Sequence, residues 1–217
     1  MEQKKYELTG ETMNFFRRTL HRIRSLQAFS NMDAGDVGGW IEKENLSHNG
    51  NSWVCDNAQI CGNARIYGEA LVYGNAWVYG DAWVGDNAWV GGNAWVGGEA
   101  LVGGNAWVCD NARVGGKAKI GGNARICGEA QIGGDARIYS DHHYWTSPRI
   151  GSRKDITTFY RSKERRIMVV CGCCHTDIED FARRVKETHG DNQHARDYER
   201  AIQMAKIWID LEGDIDE

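Results

Sequence analysis

From Val54 to His143 the chain repeats one six-residue pattern fifteen times without a break: aliphatic, then small or Tyr or Cys, Gly or Asp, usually Asn or an acid, Ala, and a variable residue. Val54-Cys55-Asp56-Asn57-Ala58-Gln59 opens the series and Ile138-Tyr139-Ser140-Asp141-His142-His143 frays at its end. A short fixed period of this kind signals a solenoid. Six residues suit neither a helix nor a hairpin. The Ala and the next aliphatic residue lie two apart, so on a short strand both point to one face and the residue between them to the other. The Gly/Asp-Asn pair supplies a sharp corner, since Gly adopts positive φ freely and Asn or Asp at little cost.

This pattern resembles the hexapeptide repeat of left-handed parallel β-helices, in which three hexads close one triangular coil. The left hand and the triangle are what the resemblance implies. On that basis residues eighteen apart stack, giving about five coils at about 4.8 Å each, roughly 24 Å in all. The fold class is then mainly β, a left-handed parallel β-helix with an N-terminal β cap over 1–53, the repeats over 54–143, and an α/β module over 144–217. Val, Ile and Ala fill the interior without a lumen. Asn57, Asn75, Asn93 and Asn111 form one corner column and Asn87, Asn105 and Asn123 another, where side-chain amides can bond up and down the stack.

The variable position faces outward, and eighteen-residue stacking writes its columns. They are Trp53, Leu71, Trp89, Trp107, Arg125 and His143; then Gln59, Trp77, Trp95, Arg113 and Gln131; then Arg65, Trp83, Leu101, Lys119 and Arg137. Trp77, Trp83, Trp89, Trp95 and Trp107, with Leu71 and Leu101, make the middle coils apolar on every face. Tyr67, Tyr73 and Tyr79 add aromatic surface at the corners. Apolar patches beyond a few hundred Å² usually mark contact surfaces, so the belt predicts association with a protein partner or with further copies of the chain. The structural alternative is that the rings merely stack on each other, coil on coil.

The open end of a β-helix exposes apolar core and unpaired backbone, so residues 1–53 are expected to cap it, with short strands at 4–9 and 19–26. The series Gly38-Gly39-Trp40-Ile41, Asn45-Leu46-Ser47, Gly50-Asn51-Ser52-Trp53-Val54 and Asn57-Ala58 is similar to a group of uncharacterised bacterial and prophage-borne hexapeptide-repeat proteins. That likeness covers the cap and first coil. It implies a phage accessory or host-modulating role and brings no known activity with it.

After Tyr144 the period is lost. Residues 155–161 and 166–171 read as paired strands, Thr176 to Glu179 as a capping box, and the helical faces Ile178, Phe181, Ala182, Val185 and Tyr198, Ala201, Ile202, Ala205, Trp208 as a shared core. This ββαα unit closes or flanks the far end. Residues 210–217 are acidic and expected to fray.

Acyl transfer, common among hexapeptide β-helices, is the enzyme reading to weigh. No hexad is interrupted by a loop, and no histidine lies between His48 and His142, so a general base is missing from the coils. A non-catalytic protein without a cofactor is the expectation. Cys171, Cys173 and His175 are weak metal candidates, since Cys-x-Cys-Cys-His lacks the two-to-four-residue spacing of zinc sites. Arg149, Arg153, Lys154, Arg161, Lys163, Arg165 and Arg166 form a basic cluster to which nucleic acid would bind, although the net charge of −4 gives no global attraction. No apolar run is long enough to span a bilayer, and the N-terminus lacks a signal-peptide core. The odd count of seven cysteines fits a reducing, cytoplasmic setting in a bacterial host, in which Cys109 and Cys127, one coil apart, stay thiols.

Overall fold

The computed structural model describes residues 4–213, and its shaft is a parallel β-solenoid. Each rung strand is two residues long, the variable residue and the aliphatic residue after it, as in Gln59–Ile60 or Trp89–Val90. Three sheets run along the shaft. The first face stacks Gln59–Ile60, Trp77–Val78, Trp95–Val96, Arg113–Val114 and Gln131–Ile132. A second stacks Trp53–Val54, Leu71–Val72, Trp89–Val90, Trp107–Val108 and Arg125–Ile126, and the third runs from Arg65–Ile66 through Trp83–Val84, Leu101–Val102 and Lys119–Ile120 to Arg137–Ile138. Partners are eighteen residues apart, as in Trp89 with Trp107.

The stack reaches back into the lead-in segment. Strand β3 (Val37–Ile41) pairs in parallel with Gln59–Ile60, and Leu46 bridges Ile66 in parallel. With Trp53–Val54 these residues complete a further turn, so the solenoid has about six turns where the hexads alone predict five. The signal was present in Trp40-Ile41 and Leu46, whose spacing departs from six.

The interior follows the pattern. The Ala and Val/Ile positions from Val54 to Ile138 are all buried, which leaves the shaft closed-packed and gives each turn its apolar stabilisation, about 0.8 kcal/mol per buried methylene. At the corners positive φ falls on the third hexad residue, Gly or Asp, and not on the Asn that follows. At Gly74, φ is +69°, and a Cβ there would sit 2.8 Å from the carbonyl oxygen of Gly92 in the next coil. Asp56, Asp86 and Asp110 occupy this position with φ of 50–57°. Each compensates by accepting the N–H of the residue eighteen further on, Gly74, Gly104 and Gly128. The Asn residues serve the ladder instead: Asn75 donates to Asn93 and Asn93 to Asn111, while Asn87 donates to Asn105 and Asn105 to Asn123.

At the N-terminal end β1 (Tyr6–Phe15) and β2 (Arg18–Ser25) form a hairpin, and β2 pairs with β3. β1 is longer than the sequence indicates, because a register shift between Leu8 and Thr12 absorbs the polar stretch around Gly10. The hairpin turns through Phe16 and Arg17, both at positive φ. Lys5 is buried beneath it, donating to the carbonyls of Gly50 and Ser52. Burial pulls its pKa down to about 8 against the raising effect of Glu69. Those carbonyls belong to the open rim of the first turn, so the lysine satisfies backbone that a cap must satisfy.

At the other end four antiparallel strands, Tyr144–Thr146, Thr157–Arg161, Ile167–Cys171 and Cys174–Asp177, pair in that order. Helices α1 (Ile178–His189) and α2 (Gln193–Trp208) pack on one side through Ile178, Phe181, Val185, Ala201, Ile202 and Ala205. The helix cap is Asp177, accepting from the amide of Asp180, one residue later than the capping-box reading. Thr176 instead donates to the Asp180 carboxylate. The acidic end does not fray at once: Asp210 accepts the amides of Glu212 and Gly213, and residues 214–217 lie outside the described residues.

Candidate interaction surface

Trp83, Trp89, Trp95, Trp107 and Leu101 are 38–45% exposed in the middle of the shaft. Their backbones are held by the rung hydrogen bonds, so the rings stand on rigid strands. Trp89 and Trp107 stack 5.1 Å apart with planes 1° from parallel, and Trp77 meets Trp95 edge-on at 5.0 Å. Arginines finish the stacks: Arg125 over Trp107, Arg113 over Trp95, and Arg65 over Trp83 at 4.9–6.0 Å. The belt is therefore both a ladder and a surface, since stacking covers ring faces and leaves edges in water.

Two predicted outward tryptophans are withdrawn. Trp53 is 1% exposed, enclosed by Tyr6 and Phe29. Trp77 is half-buried because the hairpin tip folds over it, Phe16 stacking at 5.2 Å and Phe15 edge-on at 5.0 Å. Leu71 is also half-buried against the core. Tyr73 and Tyr79 are half-buried for a further reason: with Tyr67 they lie over Gly91, Gly97 and Gly85, in space a Cβ there would occupy at 2.1–2.2 Å from the ring. The second hexad position thus alternates between a ring and the glycine that receives it.

His143, expected in an outward column, is buried in a short 3-10 turn over Asp141–His143. Its Nδ1 accepts the Tyr139 amide at 2.9 Å. Burial, then the charge of Arg161, pull its pKa down to about 4, with Asp210 opposing. His142 packs its ring on Trp208 at 4.6 Å.

The basic cluster is broken up. Arg161 is buried and donates to the carbonyls of Arg137, Asp210 and Gly213, so it fastens the C-terminal segment to the last coil and is withdrawn from any phosphate. Its pKa is lowered by that burial. Arg149 pairs with Glu129. Arg153, Lys154, Lys163, Arg165 and Arg166 remain on the surface.

The Cys171–His175 stretch is a hairpin turn and not one extended strand, so the shared face read from alternation does not form. Cys171 pairs opposite Cys174 with Gly172 and the exposed Cys173 at the tip. Cys171 meets Thr157 and Tyr198, whereas His175 Nε2 lies 2.6 Å from the Tyr160 hydroxyl. Burial pushes the Tyr160 pKa up. Cys109 and Cys127, expected as thiols, are joined by a disulfide, because parallel stacking puts their Cα atoms 4.7 Å apart, within bridging range.

Sequence reasoning also missed a groove of about 930 Å³ along the third face, between Trp83, Leu101, Lys119, Tyr139 and the returning segment at Asp210 and Gly213. It depends on where the chain folds back after α2, which no periodicity encodes.

Together the parallel rungs, the corner ladders and the eighteen-residue register define a β-solenoid repeat protein. Two stretches, residues 58–73 and 70–86, match the YdcK β-solenoid repeat, so the chain is similar to that family over its early coils. No curated protein matches the chain. No helix among the described residues is long and apolar enough to cross a membrane.

Proposed function

We propose that this protein is a non-catalytic binding module that associates with a protein partner, or with further copies of itself, through the aromatic belt of a left-handed hexapeptide solenoid. The observation that carries this reading is the exposure of Trp83, Trp89, Trp95, Trp107 and Leu101 on rigid strands around all three faces. Such anchors lose little conformational freedom when covered, and aromatic residues commonly dominate interfaces. Arg65, Arg113 and Arg125 beside the rings favour a partner surface that is apolar and edged with carboxylates.

Nucleic-acid binding is less favoured, because Arg161 and Arg149 are engaged within the chain. Acyl transfer is less favoured because the ring of His143 is buried and that of His142 lies against Trp208. The likeness of the lead-in segment to prophage-borne proteins favours a phage accessory or host-modulating role in a bacterial cytoplasm.

The test is Trp89→Ala with Trp95→Ala. Stability should fall by about 1–3 kcal/mol from lost stacking, while association, read by sedimentation and by capture from a bacterial host, should fall by at least about 2 kcal/mol per anchor. A folded double variant with unchanged oligomeric state and every native partner retained would reduce the belt to a structural ladder.

A further inference from the structure

We propose that Cys109, Asp110 and Cys127 form a binding site for a soft or borderline divalent cation, zinc or cadmium in chemistry, when the two sulfurs are reduced. The two Sγ atoms and an Asp110 carboxylate oxygen lie within 4.8 Å of one another, and among the described residues this is where three such groups converge. Tetrahedral zinc with sulfur at about 2.3 Å and oxygen at about 2.0–2.2 Å places sulfurs about 3.7 Å apart. Parallel rungs with Cα atoms 4.7 Å apart can present that separation by side-chain rotation alone once the bridge opens.

The corner explains why Asp110 is there but not why thiols flank it. Asp56 and Asp86 hold the same corner position and bond the next coil in the same way. Their neighbours in the column are Cys55 with Tyr73, and Gly85 with Gly103. Only Asp110 stands beside two stacked cysteines. Its Oδ2 accepts from the Gly128 amide at 2.9 Å, which fixes the carboxylate and leaves Oδ1 for a cation. Both cysteines are partly exposed, so water or an incoming group can fill the fourth position.

The disulfide is the closed state of this site. Oxidation of the metal-loaded pair by a small-molecule disulfide forms the Cys109–Cys127 bond, reduces the oxidant to two thiols with uptake of two protons, and releases the cation. Reduction reverses the exchange, and loading the two thiols with metal liberates two protons.

The test uses the full chain, reduced with a phosphine that is then removed, and titrated with cadmium alone. Reduced wild-type protein should gain a thiolate-to-metal charge-transfer band that saturates with a component of one cadmium per chain; this component should be missing from the oxidised protein and from Cys109→Ser. Asp110→Asn keeps an amide oxygen for Gly128 and tolerates positive φ, so it should stay folded yet lose most of the affinity. Identical titrations of wild type and Cys109→Ser would assign any uptake to the other free thiols, Cys55, Cys61, Cys171, Cys173 and Cys174, and overturn the proposal. No uptake by reduced protein, or full affinity in Asp110→Asn, would overturn it equally. Neither readout depends on the tryptophan belt.

Discussion

Ala94 and Asn93 are neighbours in sequence on opposite sides of the solenoid wall, so changing each in turn tests the wall itself. Ala94 is fully buried, with Ala76 and Ala112 one coil away on either side. Ala94→Glu forces a longer side chain into a filled column, an overpacking cost of about 1–3 kcal/mol. It also buries a carboxyl group away from hydrogen-bond partners at about 2–7 kcal/mol, for a total of about 3–10 kcal/mol. Asn93 is exposed and joins the ladder by accepting from Asn75 at 3.2 Å and donating to Asn111 at 3.1 Å. Asn93→Gly removes those two solvent-facing bonds, about 0.5 kcal/mol each at the low end of the range, and adds about 0.5–1 kcal/mol of backbone entropy. For a chain of this size each kcal/mol moves the melting midpoint by about 2–4 °C. Differential scanning calorimetry should therefore give a shift of about 3–8 °C for Asn93→Gly and a larger one for Ala94→Glu, about 6 °C at the least and centred above about 15 °C. Ala94→Leu, of similar bulk without the charge, should cost less than Ala94→Glu by the burial of the carboxyl group. Equal shifts for Asn93→Gly and Ala94→Glu would refute the assignment of inside and outside.

Gly91→Ala should cost about 1–2 kcal/mol by displacing the Tyr73 ring, and Tyr73→Ala should make the same change nearly neutral; additive effects in that double-mutant cycle would show that the ring does not occupy the glycine's space. His143 has a folded pKa near 4, pulled down by burial and by Arg161, below an unfolded value of about 6.5. Its contribution is thus complete above about pH 6.5 and is lost as pH falls toward 4, by up to about 3 kcal/mol. His143→Asn should flatten the wild-type stability curve across that window in denaturant titrations, and parallel curves would remove His143 as its source. Phe16→Ala should expose Trp77 to water, and an unchanged fluorescence maximum would contradict the stacking at the hairpin tip.

The shaft was legible because its interactions are between residues at one fixed separation. Eighteen-residue register places Trp89 on Trp107 and Val90 on Val108 before any coordinate is known, and burial at the Ala and aliphatic positions follows from alternation alone. The ends were not legible in the same way. Lys5 under the hairpin, Phe16 on Trp77 and Arg161 beneath Gly213 join residues 45, 61 and 52 positions apart with no repeat to announce them. Local chemistry misled at two places. Alternation put Cys171, Cys173 and His175 on one face, but the turn at Gly172, with φ of +58°, breaks the strand between them. Compartment reasoning kept Cys109 and Cys127 apart, whereas the column brings them into bonding range.

The end modules also decide how far each face of the shaft is covered. On the first face the hairpin tip covers Trp77, and His175 borders the hollow beside Trp95 and Arg113. On the third, the groove at Trp83 and Leu101 is walled by Asp210 and Gly213. Among the described residues the second face is sealed at its extremities, by Tyr6 and Phe29 on Trp53 and by Tyr144 donating to the carbonyl of Arg125. Between them Trp89 and Trp107 make ring contacts with each other, with Tyr73 and with Arg125. A flat partner can reach those two rings without displacing either module. If the belt is the binding surface, Trp89→Ala and Trp107→Ala should each weaken association by about 2 kcal/mol or more, roughly thirtyfold at 1.4 kcal/mol per decade. Trp77→Ala should weaken it far less, because its ring is already spent on Phe15 and Phe16. Equilibrium sedimentation or titration calorimetry on the three single variants would rank them, and a larger loss from Trp77→Ala than from Trp89→Ala would move the contact to the hairpin side of the shaft.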